Sequence, residues 1–425
     1  MPNSTEQKTV KHRKVFFVSG YDPKGPGWYH GMFSREAKRQ SALSDMNIEV
    51  GERRNIDKEQ SVWTVRAKED GIAVTSEYVF LRWDDIVRAS WTRGTLTMLG
   101  VVFGNLYNYL RNGVLWRLLG TSWNTLNAAF YPTAFVLLTI IAGLIIGAGV
   151  ASFVAEGIIA TGLSVAIAIA FTAMVLPILD RKFVIYWMSR IFAFNLKQGT
   201  KSVPGLQDRS TAFAKIIVEA VNSEKYDEVL VVGHSTGAQL AVSVLANALA
   251  IDPNLTDKKT TVSFMTLGGS IAMLAWPRQA GWFCDQLESV ANHNGLNWID
   301  LSATQDGASF TLFDPVEGSG LRHANRDDKK PKLLSIKMFQ LFSNSRFKKV
   351  RFDWNKIHFQ YLCAGELLGE YDYFAIVAGC KTMTERFAHR ETTRNFSGFR
   401  IKWLHRPVPQ RTKENLETKT GSRSC

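Results

Sequence analysis

Two apolar runs in the middle of the chain, roughly Phe130 to Val154 and Ile158 to Leu179, set the tightest limit on what it can fold into. Between Arg117 and Asp180 the sole charge is Glu156, in the turn AEG. Each run has the length of about twenty residues that a helix needs to cross a hydrocarbon core. Two spans joined by so short a turn must run antiparallel, with both outer ends on one side. Arg111 and Arg117 precede the pair, and Arg181, Lys182 and Arg190 follow it. Basic residues beside spans favour the cytoplasmic face. Trp116, Trp123, Tyr131, Tyr186 and Trp187 stand where interfacial aromatics are expected. Gly143, Gly147 and Gly149 are small enough to let the two helices pack closely. The competing reading, a helical hairpin buried in a soluble body, is disfavoured because a chain of 425 residues has little room to bury two uncharged runs of this length.

The formal charge of +13 and a pI near 9.5 point to an anionic partner. No zinc-type ligand spacing and no nucleic-acid motif is present, so no metal and no nucleic acid is expected and a lipid surface is the preferred reading. The stretch from Arg322 to Arg351, with Lys329, Lys330, Lys332, Lys348 and Lys349, is basic enough to rest on anionic headgroups. Cys284, Cys363, Cys380 and Cys425 are scattered without any CxxC pair, which fits a reducing compartment better than a disulfide framework. The apolar run VFFVS, Val15 to Ser19, is too short for a signal peptide and reads as a strand. These features predict a two-span protein with both termini and the folded body in the cytoplasm, in a bacterial inner membrane.

Around the hairpin the pattern changes. Val15 to Ser19 breaks at Gly20 into the loop YDPKGPG, and a helix is predicted from about Trp28 to Leu43. Ile48–Val50, Ser61–Arg66 and Tyr78–Trp83 have strand composition. After the hairpin, helices at Asp208–Asn222, Ala238–Ala250 and Gly281–Asn292 alternate with strands at Glu228–Val232, Val262–Thr266 and Asn297–Leu301. Such alternation predicts an α/β fold with a mostly parallel sheet flanked by helices. The chain divides into residues 1–90, a membrane insertion over 91–200, a second body segment over 201–406, and a polar tail over 407–425 that reads as disordered.

The densest chemical signal is EVLVVGHSTGAQLAVSVLANAL, in which an apolar strand ends in Gly233-His234-Ser235-Thr236-Gly237 and passes straight into a helix. A serine at the tip of a sharp strand-to-helix turn sits in a crowded backbone. Glycines two residues before and after it remove side chains that would clash. The helix N-terminus behind Ser235 directs amide groups at any oxyanion that develops. In this context the segment resembles the α/β-hydrolase superfamily of lipases, esterases and thioesterases. The resemblance covers about the first fifty residues and then Asp208 to about Leu368, and not the hairpin.

The resemblance implies Ser235 as nucleophile, with an acid and a histidine following in that chain order. The acid should follow the strand NWIDL, which makes Asp306 the preferred candidate and Asp314 its rival; Asp300 lies inside the strand. The histidine should follow the last core strand. The segment Phe347–Trp354 reads as that strand and leads to His358. His323 falls in a polar loop, His389 and His405 fall too late, and His234 shapes the elbow. The oxyanion donors would be the backbone N–H groups of Thr236 and of Tyr21, with Asp22 as the alternative to Tyr21. These roles imply an acyl-enzyme mechanism with no cofactor, on a lipophilic acyl ester met at the membrane. Acyl transfer or thioester cleavage on the same residues, or a catalytically silent membrane scaffold, are the other readings. A channel is disfavoured because two spans with one turn charge offer no polar path.

Overall fold

A computed structural model describes residues 9–118, 123–324 and 330–393, without the side chains of 123–125. The predicted polar tail, His405, Cys425 and Lys329 lie outside the described residues. The chain opens with β1 (His12–Val18), α1 (Pro26–Leu43), β2 (Asn47–Val50), β3 (Arg54–Asn55), β4 (Gln60–Glu69) and β5 (Ile72–Leu81). Helices α2 (Asp84–Ala89), α3 (Thr95–Arg111) and α4 (Val114–Leu118) lead to the long pair α5 (Trp123–Val154) and α6 (Gly157–Phe183), then α7 (Ile185–Gly199). An alternating stretch follows: α8 (Leu206–Asn222), β6 (Glu228–His234), α9 (Gly237–Ile251), β7 (Thr261–Leu267), α10 (Ile271–Ala275), α11 (Gly281–Ala291) and β8 (Asn297–Ser302). The described chain closes with α12 (Pro315–Gly318), β9 (Lys332–Ser335), α13 (Asn344–Val350), α14 (Trp354–Phe359), α15 (Tyr373–Ala378) and α16 (Met383–Arg386).

Nine strands form one sheet in the order β2-β4-β5-β1-β6-β7-β8-β9, with β3 paired to β4. The expectation of a mostly parallel sheet needs correction, because the sheet is mixed. From β5 to β9 neighbours are parallel, whereas β4 runs antiparallel to β5, and both β2 and β3 run antiparallel to β4. The cause is the Asp70-Gly71 turn. Glu69 pairs with Ile72, so two residues close the β4–β5 hairpin, both at positive φ (51° and 82°). This is the backbone that a two-residue Asp-Gly turn favours.

Strand alternation builds a core on each face. Val229 and Val231 join Phe16, Val18 and Phe264 against α8, α9 and α11. Leu230 and Val232 join Val15, Phe17 and Met265 against α1 and α15. At the other ends of β1 and β6, Arg13 and Glu228 form a fully buried ion pair at 2.7 Å. Arg13 also donates to the carbonyls of Gly379 and Lys381, and Glu228 accepts from Ser263 and from the amide of Met383. The pair thus ties the C-terminal segment onto the sheet. A buried charge pair persists where its remaining hydrogen-bonding capacity is used, as it is here.

Helices α5 and α6 are long and apolar enough to cross a membrane, and little of either is covered by the rest of the protein: 28% and 17% of their most apolar windows are buried. Ile145, Phe153 and Ile158 are exposed at 68%, 89% and 88%. That is the opposite of a buried core hairpin. The close approach of the two helices depends on particular glycines. A Cβ on Gly147 would collide with the Ser164 backbone, and one on Gly143 would lie 3.0 Å from Ala168 Cα. Gly149 faces open space, so the expected role of that glycine in packing does not hold.

The segment Phe347–Trp354, expected to be the last core strand, is instead helix α13 and the start of α14. The last strand is the short β9, whose Leu333 and Leu334 are buried. Of the basic residues expected at a lipid surface, Lys330 and Lys332 donate to the carbonyls of His293 and Phe387, while Lys348 and Lys349 are exposed on α13.

Candidate active site

The elbow starts from the strand. All seven residues of β6 are buried, so the strand must end before the chain can reach the surface. Ser235 does this at φ 57°, in the left-handed region that a non-glycine residue enters at a cost. The strain is held by flanking contacts: Ser235 N donates to Leu267 O at 2.9 Å, and Ala238 N donates to Ser235 O at 3.0 Å. Both elbow glycines are sterically required. A Cβ on Gly233 would lie 2.6 Å from Ala238 Cα, and one on Gly237 would overlap the carbonyls of Val18 and Ser19. The turn therefore packs directly against the end of β1.

The end of β1 carries the loop facing Ser235. A Cβ on Gly20 would stand 3.0 Å from Ser235 Cβ and 3.4 Å from its Oγ, so glycine keeps the space beside the hydroxyl open. The Asp22 amide donates to Gly20 O at 2.7 Å, whereas neither the Tyr21 nor the Thr236 amide donates to an acceptor among the described residues. Two indoles fix this loop. Trp83 Nε1 donates to Ser19 O at 3.0 Å, and Trp187 Nε1, from α7, donates to Tyr21 O at 2.8 Å.

The loop after β8 and helix α14 bring Asp306 and His358 together. His358 Nδ1 lies 2.9 Å from Asp306 Oδ2. Asp306 is fully buried and also accepts from the Ala308 amide and from Tyr361 Oη, each at 3.0 Å. Burial alone would raise its pKa, but the facing His358 and these hydrogen bonds together outweigh it and hold the carboxyl below its usual value. His234 Nε2 lies 2.9 Å from the carbonyl of His358, which requires an N–H there. Burial, with His358 beside it, pushes the pKa of His234 down to about 3, so the ring stays neutral and acts as a strut for the His358 backbone.

The rival acid is engaged elsewhere. Asp314 caps α12, accepting from the amides of Val316 and Glu317, and its Oδ2 lies 2.8 Å from His323 Nε2. Asp314, Glu317 and His323 are the one group among the described residues whose possible metal-ligand atoms lie within 4.8 Å of one another. With Asp314 already spent on the helix cap, nothing further recommends it as a metal centre. Asp300, inside β8, accepts from Thr266 Oγ1 at 2.5 Å, and burial pushes its pKa up to about 7.

Two site residues were not legible in the sequence. Tyr361 accepts from the Ala303 amide at 3.0 Å while donating to Asp306. Gly268, at φ 54°, leaves room for both: a Cβ there would lie 2.6 Å from the Tyr361 ring and 3.0 Å from Asp306 Oδ2. No local motif marks either one.

Ser235, Thr236, His234, His358, Tyr21 and Asp22 line one cavity of about 950 Å³ measured to its open mouth. The far wall belongs to the roots of the long hairpin: Ala128 and Tyr131 of α5, Val184 at the α6–α7 junction, and Trp187, Met188 and Phe192 of α7. Tyr131 Oη ties the two roots by donating to Phe183 O at 2.9 Å, and its ring meets Trp354 edge-on at 5.1 Å.

No protein-family model matches the chain, and no curated protein or solved structure matches it either.

Proposed function

We propose that the chain is a membrane-bound serine hydrolase of the α/β-hydrolase type that cleaves an acyl ester. The observation that carries this reading is the His358–Asp306 pair at 2.9 Å, opening onto the same cavity as a serine held at positive φ on a strand-to-helix elbow. The elbow follows β6, the acid follows β8 and the histidine follows β9, which is the order of roles the family uses.

On this reading His358 takes the Ser235 proton, and Oγ attacks the acyl carbon. The Thr236 and Tyr21 amides receive the oxyanion. Asp306 holds the imidazole tautomer and stabilises the imidazolium, with Tyr361 and Ala308 fixing the carboxylate in turn. Proton return from His358 to the leaving oxygen gives the acyl-enzyme, and water attacks it with His358 as base. These steps need no metal or cofactor. Acyl transfer to another acceptor uses the same residues and differs only in what attacks the acyl-enzyme.

The two long apolar helices support a further part of the proposal: the site is held at a membrane, with both chain ends and the body in the cytoplasm and only the turn at Glu156 reaching the far side. A bacterial inner membrane is the setting we assume. In a background without native cysteines, Glu156→Cys and the exposed Lys58→Cys can be probed in intact cells with an impermeant thiol reagent. Labelling at Glu156 alone supports this topology, and labelling at Lys58 alone inverts it. For the chemistry, the purified protein in detergent is expected to turn over acyl esters, with turnover lost in Ser235→Ala and in His358→Ala. Equal turnover by the wild type and both variants would overturn the assignment.

A further inference from the structure

We infer that the acyl group cleaved at Ser235 is a long aliphatic chain, seated between the catalytic loops and the roots of the hairpin; this rests on the hydrolase reading above. The cavity wall away from the catalytic residues is built from Ala128, Met188, Ile191, Phe192, Met273 and Phe310, on α5, α7, α10 and the loop after β8. Phe192, Met273 and Phe310 belong to one buried apolar cluster with Met188 packed against it, so this wall continues a core rather than a wetted surface. Among the described residues no lysine or arginine is part of the lining, and Lys24, whose Nζ lies 3.8 Å from Asp22 Oδ2, is paired with that carboxylate. Asp22 also accepts from Tyr29 Oη at 3.1 Å and from the Lys24 amide at 3.0 Å. Along the wall from Ala128 to Phe310 a charged acyl group would therefore meet apolar side chains only, while methylenes would be matched along their length.

The wall also marks the route of entry. Tyr131 and Val184 lie where α5 and α6 leave the folded body, and both line the cavity. Two turns beyond Tyr131 the same helix is apolar and exposed at Leu138 (65%). A chain lying along α5 would thus pass from the lipid-facing surface of the hairpin to Ser235 without crossing a polar zone. Val184 itself takes φ 51°, a conformation that costs a β-branched residue. That bend turns α6 into α7 and delivers Trp187, Met188 and Ile191 to the cavity.

The test uses two fluorophosphonates that share a warhead and differ in alkyl length, butyl and hexadecyl. Inactivation rates are measured on the full chain in mixed micelles. The wild type is expected to favour hexadecyl by about tenfold or more. Ala128→Phe is expected to lower that preference ratio by about fivefold or more by filling the chain site. Ile191→Trp, at a half-buried position, serves as a second filling variant should Ala128→Phe fail to fold. A wild type that prefers butyl, or filling variants that melt like the wild type with an unchanged ratio, would overturn the chain site while leaving the hydrolase reading standing. A wild type that reacts with neither probe would remove the hydrolase reading, and this inference with it.

Discussion

The indole N–H of Trp187 donates to the carbonyl of Tyr21 at 2.8 Å, joining the helix that follows the long hairpin to the loop that faces Ser235. The Tyr21 amide, on the preceding peptide, is the proposed oxyanion donor, so its position depends on a residue 166 positions away in the chain. Helix α7 and the root of α5 therefore bound the candidate site on two sides, one through Trp187 and the other through the Tyr131–Trp354 contact.

Trp187→Phe keeps an aromatic ring and removes the hydrogen bond. Loss of an oxyanion donor outright costs on the order of 10²–10³ in kcat. Loosening the loop that carries one should cost less, about tenfold. The expected signature is a fall in kcat with KM little changed, equal for short and long acyl esters. An effect confined to long esters would assign Trp187 to the chain site alone.

Asp306→Asn and Asp314→Asn separate the two acids. Asparagine at 306 offers His358 the wrong partner, and kcat should fall by on the order of 10⁴. Asparagine at 314 can still cap α12, so turnover should stay within about twofold. Equal losses in the two variants would contradict the placement of Asp314 outside the site. The sign of the pH effect follows from the lowered pKa of Asp306. Its contribution to stability is complete above the unfolded value of about 4 and is lost as pH falls through the lower folded value.

Asp300 has the opposite sign. Its pKa is pushed up to about 7 by burial, so the folded state holds a proton that the unfolded state has released between roughly pH 4 and 7. Stability should fall as pH rises across that window and level off above it, by on the order of 4 kcal/mol at most. Asp300→Asn should flatten the profile and melt higher than the wild type at pH 8. Thermal melts at pH 5 and pH 8 check this; an unchanged slope in the variant would assign the pH dependence to other groups.

Gly147→Val and Gly149→Val differ by two residues and should differ in effect. The first drives a branched side chain into the Ser164 backbone, and the second points into open space. Gly147→Val should separate α5 from α6, read as lost crosslinking between cysteines placed on the two helices. Gly149→Val should crosslink like the parent.

Much of this arrangement was legible before any coordinates. The elbow, the alternating elements from β6 to β8, and both apolar helices follow from periodicity and from glycine placement, because each is determined over a short window. The Asp70-Gly71 hairpin was not among the sequence expectations, and it is what makes β4 and β5 antiparallel. Phe347–Trp354 misled because its composition suits either a strand or a helix, whereas β9 has only four residues, too few for a period to register. The roles of Tyr361, Gly268 and Trp187 depend on contacts with Asp306, Asp306 and Tyr21, across 55, 38 and 166 positions, and no local pattern encodes them.

Covalent labelling reads the proposed nucleophilicity of Ser235 without depending on which ester is the substrate. The full chain in detergent is treated with a fluorophosphonate, and the product is mapped by peptide mass spectrometry beside Ser235→Ala and His358→Ala. One adduct, on Ser235, is expected in the wild type, none in Ser235→Ala, and strongly slowed labelling in His358→Ala. An adduct formed equally in the wild type and in Ser235→Ala, or none in a correctly folded wild type, would contradict the proposed role of Ser235.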